Sequence, residues 1–244
     1  MTPKTALTIT SAHNQKLKEI RKLRMRRRWR EREGLFVAEG EDLLAAADAA
    51  GWEPVERFCA ASSGLPGIEV EAGVLASASG LASGTRALAV YRERWAQRPT
   101  GPLCVYLHRV HDPGNVGAVL RSALAFGASC VALGPGSADP FGPKAVRASM
   151  GAVFAMPLVR VAAVTDLPGE KIALVAGTGM PLAELMSPRP TEITLLVGAE
   201  REGLPEAVIA QADRVAHIPI HTHSLNAAMA AAVALYEVTR MAPE

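Results

Sequence analysis

The sequence predicts a two-part α/β protein: a larger C-terminal unit on a mostly parallel sheet, preceded by a smaller α/β unit. Beyond residue 102, short near-continuous apolar runs alternate with helical patterns, as strands covered on both faces do. Between the parts, "AQRPTGP" (residues 96–102) is polar, holds two prolines and reads as a linker, leaving units at 1–95 and 103–244. A hydrophobic content of 49% with 5% aromatics fits a core of Ala, Val and Leu, and 244 residues suffice for one large or two small domains.

The first element is the most unusual. From Lys16 to Arg32, "KLKEIRKLRMRRRWRER" sets ten Lys or Arg against two Glu, whereas the chain after Arg98 holds ten basic and twelve acidic residues. The net charge of +2 therefore hides a local basic segment. Leu17, Ile20, Leu23 and Met25 fall at helical spacing, so one stripe docks while the remaining face stays cationic. A solvated charged helix usually mixes signs, and this one repels itself unless a polyanion is near, which points to phosphates. Next come a strand, "GLFVAEG" (34–40), and a helix, "EDLLAAADAAG", stopped at Gly51, and the alternation runs on through "ALAVYRE" (87–93).

After the linker the order is "LCVYLHRV" strand, "NVGAVLRSALAFG" helix, "CVALGP" strand, "PKAVRASMGAVF" helix, then strands at "MPLVRV", "IALVAG", "ITLLVGAE" and "VAHIPI", and a final alanine-rich helix. No apolar run approaches the roughly 20 residues that span a bilayer, and the N-terminus has no signal-peptide core, so the expected location is cytoplasmic. Cys59, Cys104 and Cys130 are odd in number and sit among apolar neighbours, which reads as core rather than disulfide or zinc knuckle. His108, His111, His217, His221 and His223 include no i, i+4 pair on a helical pattern and no thiol lies nearby, so no metal site is expected.

In open parallel sheets, ligands lie beyond the carboxyl ends of the strands. Three such junctions stand out. "HDPGNVGAVLRSALAFG" turns into a helix, with Asn115 suited to the N-cap and Arg121 projecting further along. "LLVGAEREGL" ends a buried strand in Gly198 and a Glu-rich turn closed by Gly203. "IPIHTHSLNAAMAAA" places polar Ser224 and Asn226 at the start of the last helix. Each alone is ordinary turn chemistry.

Together, in this order, Asp112-Pro113 with Asn115-x-Gly117-x-x-x-Arg121, Gly198-x-Glu200-x-x-Gly203-Leu204, and Ile218-Pro219 followed by Ser224-Leu225-Asn226 resemble the SpoU (TrmH-like) branch of the SPOUT RNA methyltransferases. Residues 143–154 resemble that family's Lys-x-x-Arg-Ala-Ser-x-Gly segment, and the N-terminal unit is similar to its ribosomal-protein-like substrate-binding domain. The resemblance implies S-adenosylmethionine as cofactor, methyl transfer to a ribose 2′-hydroxyl, a C-terminal domain closed by a deep trefoil knot, and a homodimer through the catalytic domain. It implies Asn115, Arg121, Glu200, Ser224 and Asn226 as the catalytic set. Gly177, Gly198, Ile218 and Leu225 would hold the cofactor. Lys22, Arg26, Arg27, Arg28, Arg30, Lys144 and Arg147 would face RNA, with His111 near its phosphate, and rRNA is favoured over tRNA by the added N-terminal unit. An arginine with a pKa above about 12 is a poor base, so Arg121 is expected to clamp the target phosphate and orient the hydroxyl. The third motif departs from the family pattern in a shortened "IHTH" spacer without glycine. An RNA-binding protein that has lost catalysis remains open. A dinucleotide enzyme lacks a Gly-x-Gly-x-x-Gly after the first strand of the second unit.

Overall fold

The computed structural model describes residues 8–81, 84–186 and 190–240. The first unit runs α1 (Gln15–Met25), α2 (Arg27–Glu33), β1 (Leu35–Glu39), α3 (Glu41–Ala49), β2 (Glu56–Ala60), β3 (Ile68–Val70), α4 (Ala72–Ala78) and β4 (Ala87–Arg92). Its sheet has the order β1-β4-β2-β3, antiparallel except for the β2–β3 pair. Leu17, Ile20 and Leu23 are buried with Phe58, Leu75 and Leu88, as the helical spacing predicts. Met25 is not part of that stripe; it is 79% exposed. The basic segment is two helices, because Arg26 adopts an extended conformation (φ −127°, ψ 107°) that ends α1 before the stripe can continue.

The second unit runs β5 (Leu103–Leu107), α5 (Pro113–Ala125), β6 (Cys130–Leu133), α6 (Pro143–Ala148), α7 (Ala152–Ala155), β7 (Leu158–Arg160), β8 (Glu170–Leu174), β9 (Met180–Pro181), α8 (Leu182–Leu185), β10 (Ile193–Val197), α9 (Glu206–Ile209), β11 (Arg214–His217) and α10 (Ala227–Arg240). Every pairing in its seven-stranded sheet, order β7-β6-β5-β10-β8-β11-β9, is parallel. Alternate residues of β5 serve opposite faces. Leu103, Val105 and Leu107 pack under α5 and α10. Cys104 and Tyr106 pack on the other face with Cys130, Leu196 and Val208. All three cysteines are buried and free. The helix expected over 143–154 is instead α6 and α7, parted where Met150 (φ 49°) and Gly151 (φ 92°) both turn left-handed.

The two units share one core. Phe36 of β1 stacks 4.7 Å from Phe141, and Trp52 and Tyr91 each lie 5.2 Å from Phe154. Trp52 Nε1 donates to the Phe154 carbonyl at 2.7 Å. Beside these rings Arg30 is only 5% exposed. Its guanidinium donates to Asp139 at 2.7 and 2.8 Å and to the Leu23 carbonyl at 2.6 Å. Arg30 therefore does not belong with the expected RNA-facing cations; it fastens the basic helices to the second unit.

Removing one partner of a buried, hydrogen-bonded ion pair strands the other charge, at a cost of about 3–5 kcal/mol. Arg30→Ala is expected to lower unfolding free energy in urea by that order. Arg28→Ala, at an exposed position, is expected to stay within about 0.5 kcal/mol of the parent.

Candidate active site

β10, β8 and β11 are neighbours, so the loops leaving Val197, Leu174 and His217 emerge side by side. With the start of α10 they enclose a cavity of about 280 Å³ lined by Gly198, Glu200, Ile218, Ile220, His223, Ser224 and Leu225, among others. The turn after β10 folds back on itself: Gly203 N donates to the Ala199 carbonyl at 2.9 Å. A Cβ on Gly198 would fall 2.3 Å from the Gly203 carbonyl carbon, so only glycine lets the two passes of this loop approach so closely.

A polar chain runs from Glu200, in the cavity lining, to the start of α10. Asn226 Oδ1 accepts from Ala228 N at 2.9 Å and Met229 N at 3.3 Å, capping α10. Its Nδ2 donates to Asn115 Oδ1 at 3.1 Å, and Asn115 Nδ2 donates to Glu200 Oε1. Three segments far apart in the sequence are thus joined at one point. Ser224, which lines the cavity, makes no side-chain cap; that role belongs to Asn226 alone.

The N-cap of α5 is Asp112, not Asn115. Asp112 Oδ1 accepts from Gly114 N (2.6 Å) and Asn115 N (3.2 Å), and Pro113 occupies the first turn. Asp112 Oδ2 accepts from Lys144 Nζ at 2.8 Å. The Lys144 ammonium, then the two backbone donors, hold the Asp112 carboxyl below the usual carboxylate range. Because the cap is supplied three residues earlier, the Asn115 amide is free to bridge Glu200 and Asn226. On the neighbouring strand Tyr106 Oη lies 3.1 Å from His108 Nδ1, and burial followed by Arg109 pushes the His108 imidazole down.

Of the expected cofactor residues, Gly198, Ile218 and Leu225 line this cavity, while Gly177 lines an adjoining concavity shared with Ile218, Ile220 and His223. Asn115, Glu200 and Asn226 are hydrogen-bonded together. Arg121 is elsewhere: exposed on α5, it lines a hollow with Ala46, Met150 and Ala155, and among the described residues it pairs with neither Glu200 nor Glu202. Arg26, Arg27 and Arg28 are exposed, and Arg27 pairs with Glu31. Lys22 pairs with Glu19 and sits 4.4 Å over the Trp29 ring, and Arg147 is half-buried. His223 and Ile220 were not among the expected site residues, although their place inside the third motif was a usable signal.

A parallel sheet whose glycine-turned loops close a pocket beside a capped helix is the build of a cofactor-binding α/β enzyme. The chain belongs to the SpoU rRNA Methylase family, whose profile matches residues 102–236, and residues 14–89 match the MRM3-like substrate binding domain. It is 30% identical over 248 residues to the 23S rRNA (guanosine(2553)-2'-O)-methyltransferase RlmP of Bacillus subtilis, covering 94% of this chain and 98% of that one. The AdoMet-bound rRNA methyltransferase of Sinorhizobium meliloti superposes with a TM-score of 0.86 at 29% identity, over 98% of this chain and 99% of that one. The SpoU methyltransferase AviRb of Streptomyces viridochromogenes, solved with AdoMet, gives 0.81 at 25% identity, over 93% and 97%.

Asp112→Ala is expected to lower stability at pH 7 by about 1 kcal/mol, the usual worth of an N-cap, and Asp112→Asn by much less. A carboxyl depressed by folding stabilises above its ordinary pKa of about 4 and loses that contribution as pH falls through the lower folded value. Urea titrations from pH 7 down to 3 should therefore show the parent converging on the Ala variant at the acidic end.

Proposed function

We propose that the protein is an S-adenosylmethionine-dependent RNA methyltransferase that methylates a ribose 2′-hydroxyl, in rRNA rather than tRNA. The observation that carries this reading is the cavity at the ends of β8, β10 and β11, with Glu200 in its lining joined through Asn115 to Asn226. The residues present suit the cofactor: apolar Ile218, Ile220 and Leu225 accept an adenine face, and the Gly198–Gly203 loop presents bare backbone where a Cβ would collide. Gly198, Ile218 and Leu225 would hold it, with Gly177 at the margin. Once bound, the sulfonium supplies an electrophilic methyl group, and the protein's task is to place an oxygen nucleophile in line about 3 Å away.

Asn115 and Asn226 fix the Glu200 carboxylate, which with Ser224 orients the target nucleotide. Arg121 serves as a planar clamp for a phosphate rather than as a base. In one protomer Arg121 is remote from the cavity, and a homodimer resolves this. Met229 (61% exposed), Val233 (42%) and Tyr236 (52%) follow one face of α10, and Leu124 (42%) lies on α5, one turn beyond Arg121. Tyr236 meets Phe126 of α5 edge-on at 6.2 Å, so the two helices offer one apolar surface. Ala227 and Ala230 of the same α10 line the cavity, which supports a dimer that brings each Arg121 to the other protomer's site.

Residues 1–95 form the RNA-binding unit, with Arg26, Arg27, Arg28, Lys22, Lys144 and Arg147 toward RNA, and 103–244 the catalytic unit. Insertion of β10 between β5 and β8 supports a threaded C-terminal segment of the trefoil-knot kind. Among the described residues no helix is long and apolar enough to cross a membrane, in keeping with work on ribosomal RNA in the cytoplasm.

Transfer of radiolabelled methyl to unmodified 23S and 16S rRNA, with mapping of the protected ribose, tests the reading; label on neither rRNA nor tRNA would overturn it. Gly198→Ala is expected to weaken donor binding by about tenfold or more, as overpacking of a close backbone contact costs about 1–3 kcal/mol. Arg121→Lys is expected to lower kcat about tenfold with donor affinity unchanged. Val233→Arg should shift the protein to monomer in analytical ultracentrifugation and abolish turnover while leaving thermal stability nearly intact.

A further inference from the structure

The other half of the sheet's carboxyl edge holds a second cavity. It measures about 320 Å³ and lies between α2, the segment after β4, the loop after β6 and the end of β7. Its side chains are not those of a packing defect. Trp95 is fixed by an edge-on contact with Phe141 at 5.2 Å and by donation from its Nε1 to Glu93 Oε2 at 2.9 Å. Arg160 sits over that ring, its guanidinium carbon 4.1 Å from the ring centroid. Arg27 lines the opposite wall. Arg109, at φ 54° with its N–H donating to the Pro135 carbonyl, is exposed beside Gly136 of the lining, its Cγ 3.0 Å from that glycine's Cβ position.

The acids nearby are already committed. Asp139 is engaged by the buried Arg30, and Glu93, whose side chain is 7% exposed, accepts from Trp95. Burial pushes the Glu93 carboxyl up, against the opposing effects of the Trp95 hydrogen bond and of the Arg160 guanidinium 3.8 Å away. What the cavity offers a ligand is a guanidinium plane backed by an indole, with two further arginines around it. That combination suits an unpaired nucleotide: base on the stacked plane, phosphate on the cations.

Resting on the RNA substrate proposed above, we infer that this cleft is a second nucleotide subsite, which stacks one unpaired base of the same rRNA on the Arg160–Trp95 pair and binds its phosphate through Arg27 and Arg109. The position fits. In the sheet order β7-β6-β5-β10-β8-β11 the two cavities are centred three to four strand spacings apart, on the order of 15–20 Å. One RNA strand can occupy both along a single edge. The subsite selects RNA with an unpaired residue near the methylated ribose, which a continuous duplex does not present.

The test compares the full-length parent, Arg160→Ala and Arg160→Lys, each at matched folded fraction, for affinity to a transcript of unmodified 23S rRNA, affinity for the methyl donor, and KM against kcat. Arg160 is exposed, so both variants are expected to fold. The subsite predicts about tenfold weaker RNA binding and a similarly raised KM in Arg160→Ala, the lower part of the range for one stacked base. Arg160→Lys should recover little of this, because an ammonium keeps the charge but not the plane. Donor affinity and kcat should not move. Unchanged RNA affinity in Arg160→Ala overturns the inference, and so does full rescue by lysine, which would reduce the cleft to a point charge. A third arm titrates free adenosine and uridine monophosphate; micromolar binding that Arg160→Ala abolishes while RNA affinity stays the same would assign the cleft to a small nucleotide and also overturn it. A protein that binds the transcript through Arg160 yet transfers no methyl would keep the subsite and remove the enzymatic reading. Methyl transfer with an unmoved KM in Arg160→Ala would do the reverse.

Discussion

Parallelism of the seven-stranded sheet is the constraint from which the rest follows. Because every strand runs the same way, all the loops that follow strand ends open on one edge, and the turns there escape the hydrogen-bonding demands of the sheet. The same constraint places helices on both faces: α5 and α10 cover one, and the Cys104–Tyr106 face is closed by Leu204 and Val208. A site assembled from such loops needs neither a long insertion nor a flexible lid. It needs glycine at the tightest approach, which Gly198 provides, and a polar brace between loops, which Asn115, Glu200 and Asn226 provide.

The second requirement is that the basic unit be held rigidly against that edge. A flexible linker would let α1 and α2 collect RNA without directing it. Here the residues between β4 and β5 are pinned, with Ala96 N donating to the Leu158 carbonyl at 2.7 Å and the Pro102 carbonyl accepting from Ile193 N at 2.9 Å. Phe36, Trp52 and Tyr91 from one unit and Phe141 and Phe154 from the other form a continuous aromatic core. Arg30–Asp139 adds direction to this apolar contact, since two guanidinium donors on one carboxylate oxygen fix register where ring packing alone tolerates sliding. The buried pair is costly to desolvate, and its retention between two units is consistent with a positioning role.

How much of this was legible in the sequence depends on the range of the interactions. The strands were readable because burial on both faces writes itself as continuous apolar runs, and the turn at Gly198 because a glycine beside charged residues interrupts one. The cap of α5 was readable too, but Asn115 drew attention from Asp112, whose neighbour Pro113 marks the first helical turn. Other features left no local trace. Arg30 looks like any member of its basic run, and only Asp139, 109 residues away, turns it inward. The break at Arg26 follows no helix-breaking residue. Met150 is left-handed against the preference of its own type, and there the packing of α6 and α7 around Gly151 overrides propensity.

The placement of Arg121 carries the argument one step further. A residue that resembles a catalytic group by motif, yet stands exposed in a different hollow from the cavity and in no ion pair among the described residues, is either idle or completed by something outside the protomer. The apolar surface of α5 and α10 distinguishes these. Met229, Val233, Tyr236 and Leu124 stand in water on adjacent helices, where covering them would gain roughly 25 cal/mol per Å² of apolar surface, and this supports the homodimer proposed above. In that proposal a two-fold axis would set both copies of α5 and α10 face to face. Each cavity, lined in part by Ala227 and Ala230 of α10, would then border the partner, and dimer formation and assembly of the proposed catalytic set would be one event. On that account a change that weakens the interface lowers turnover without touching any group that contacts RNA or cofactor.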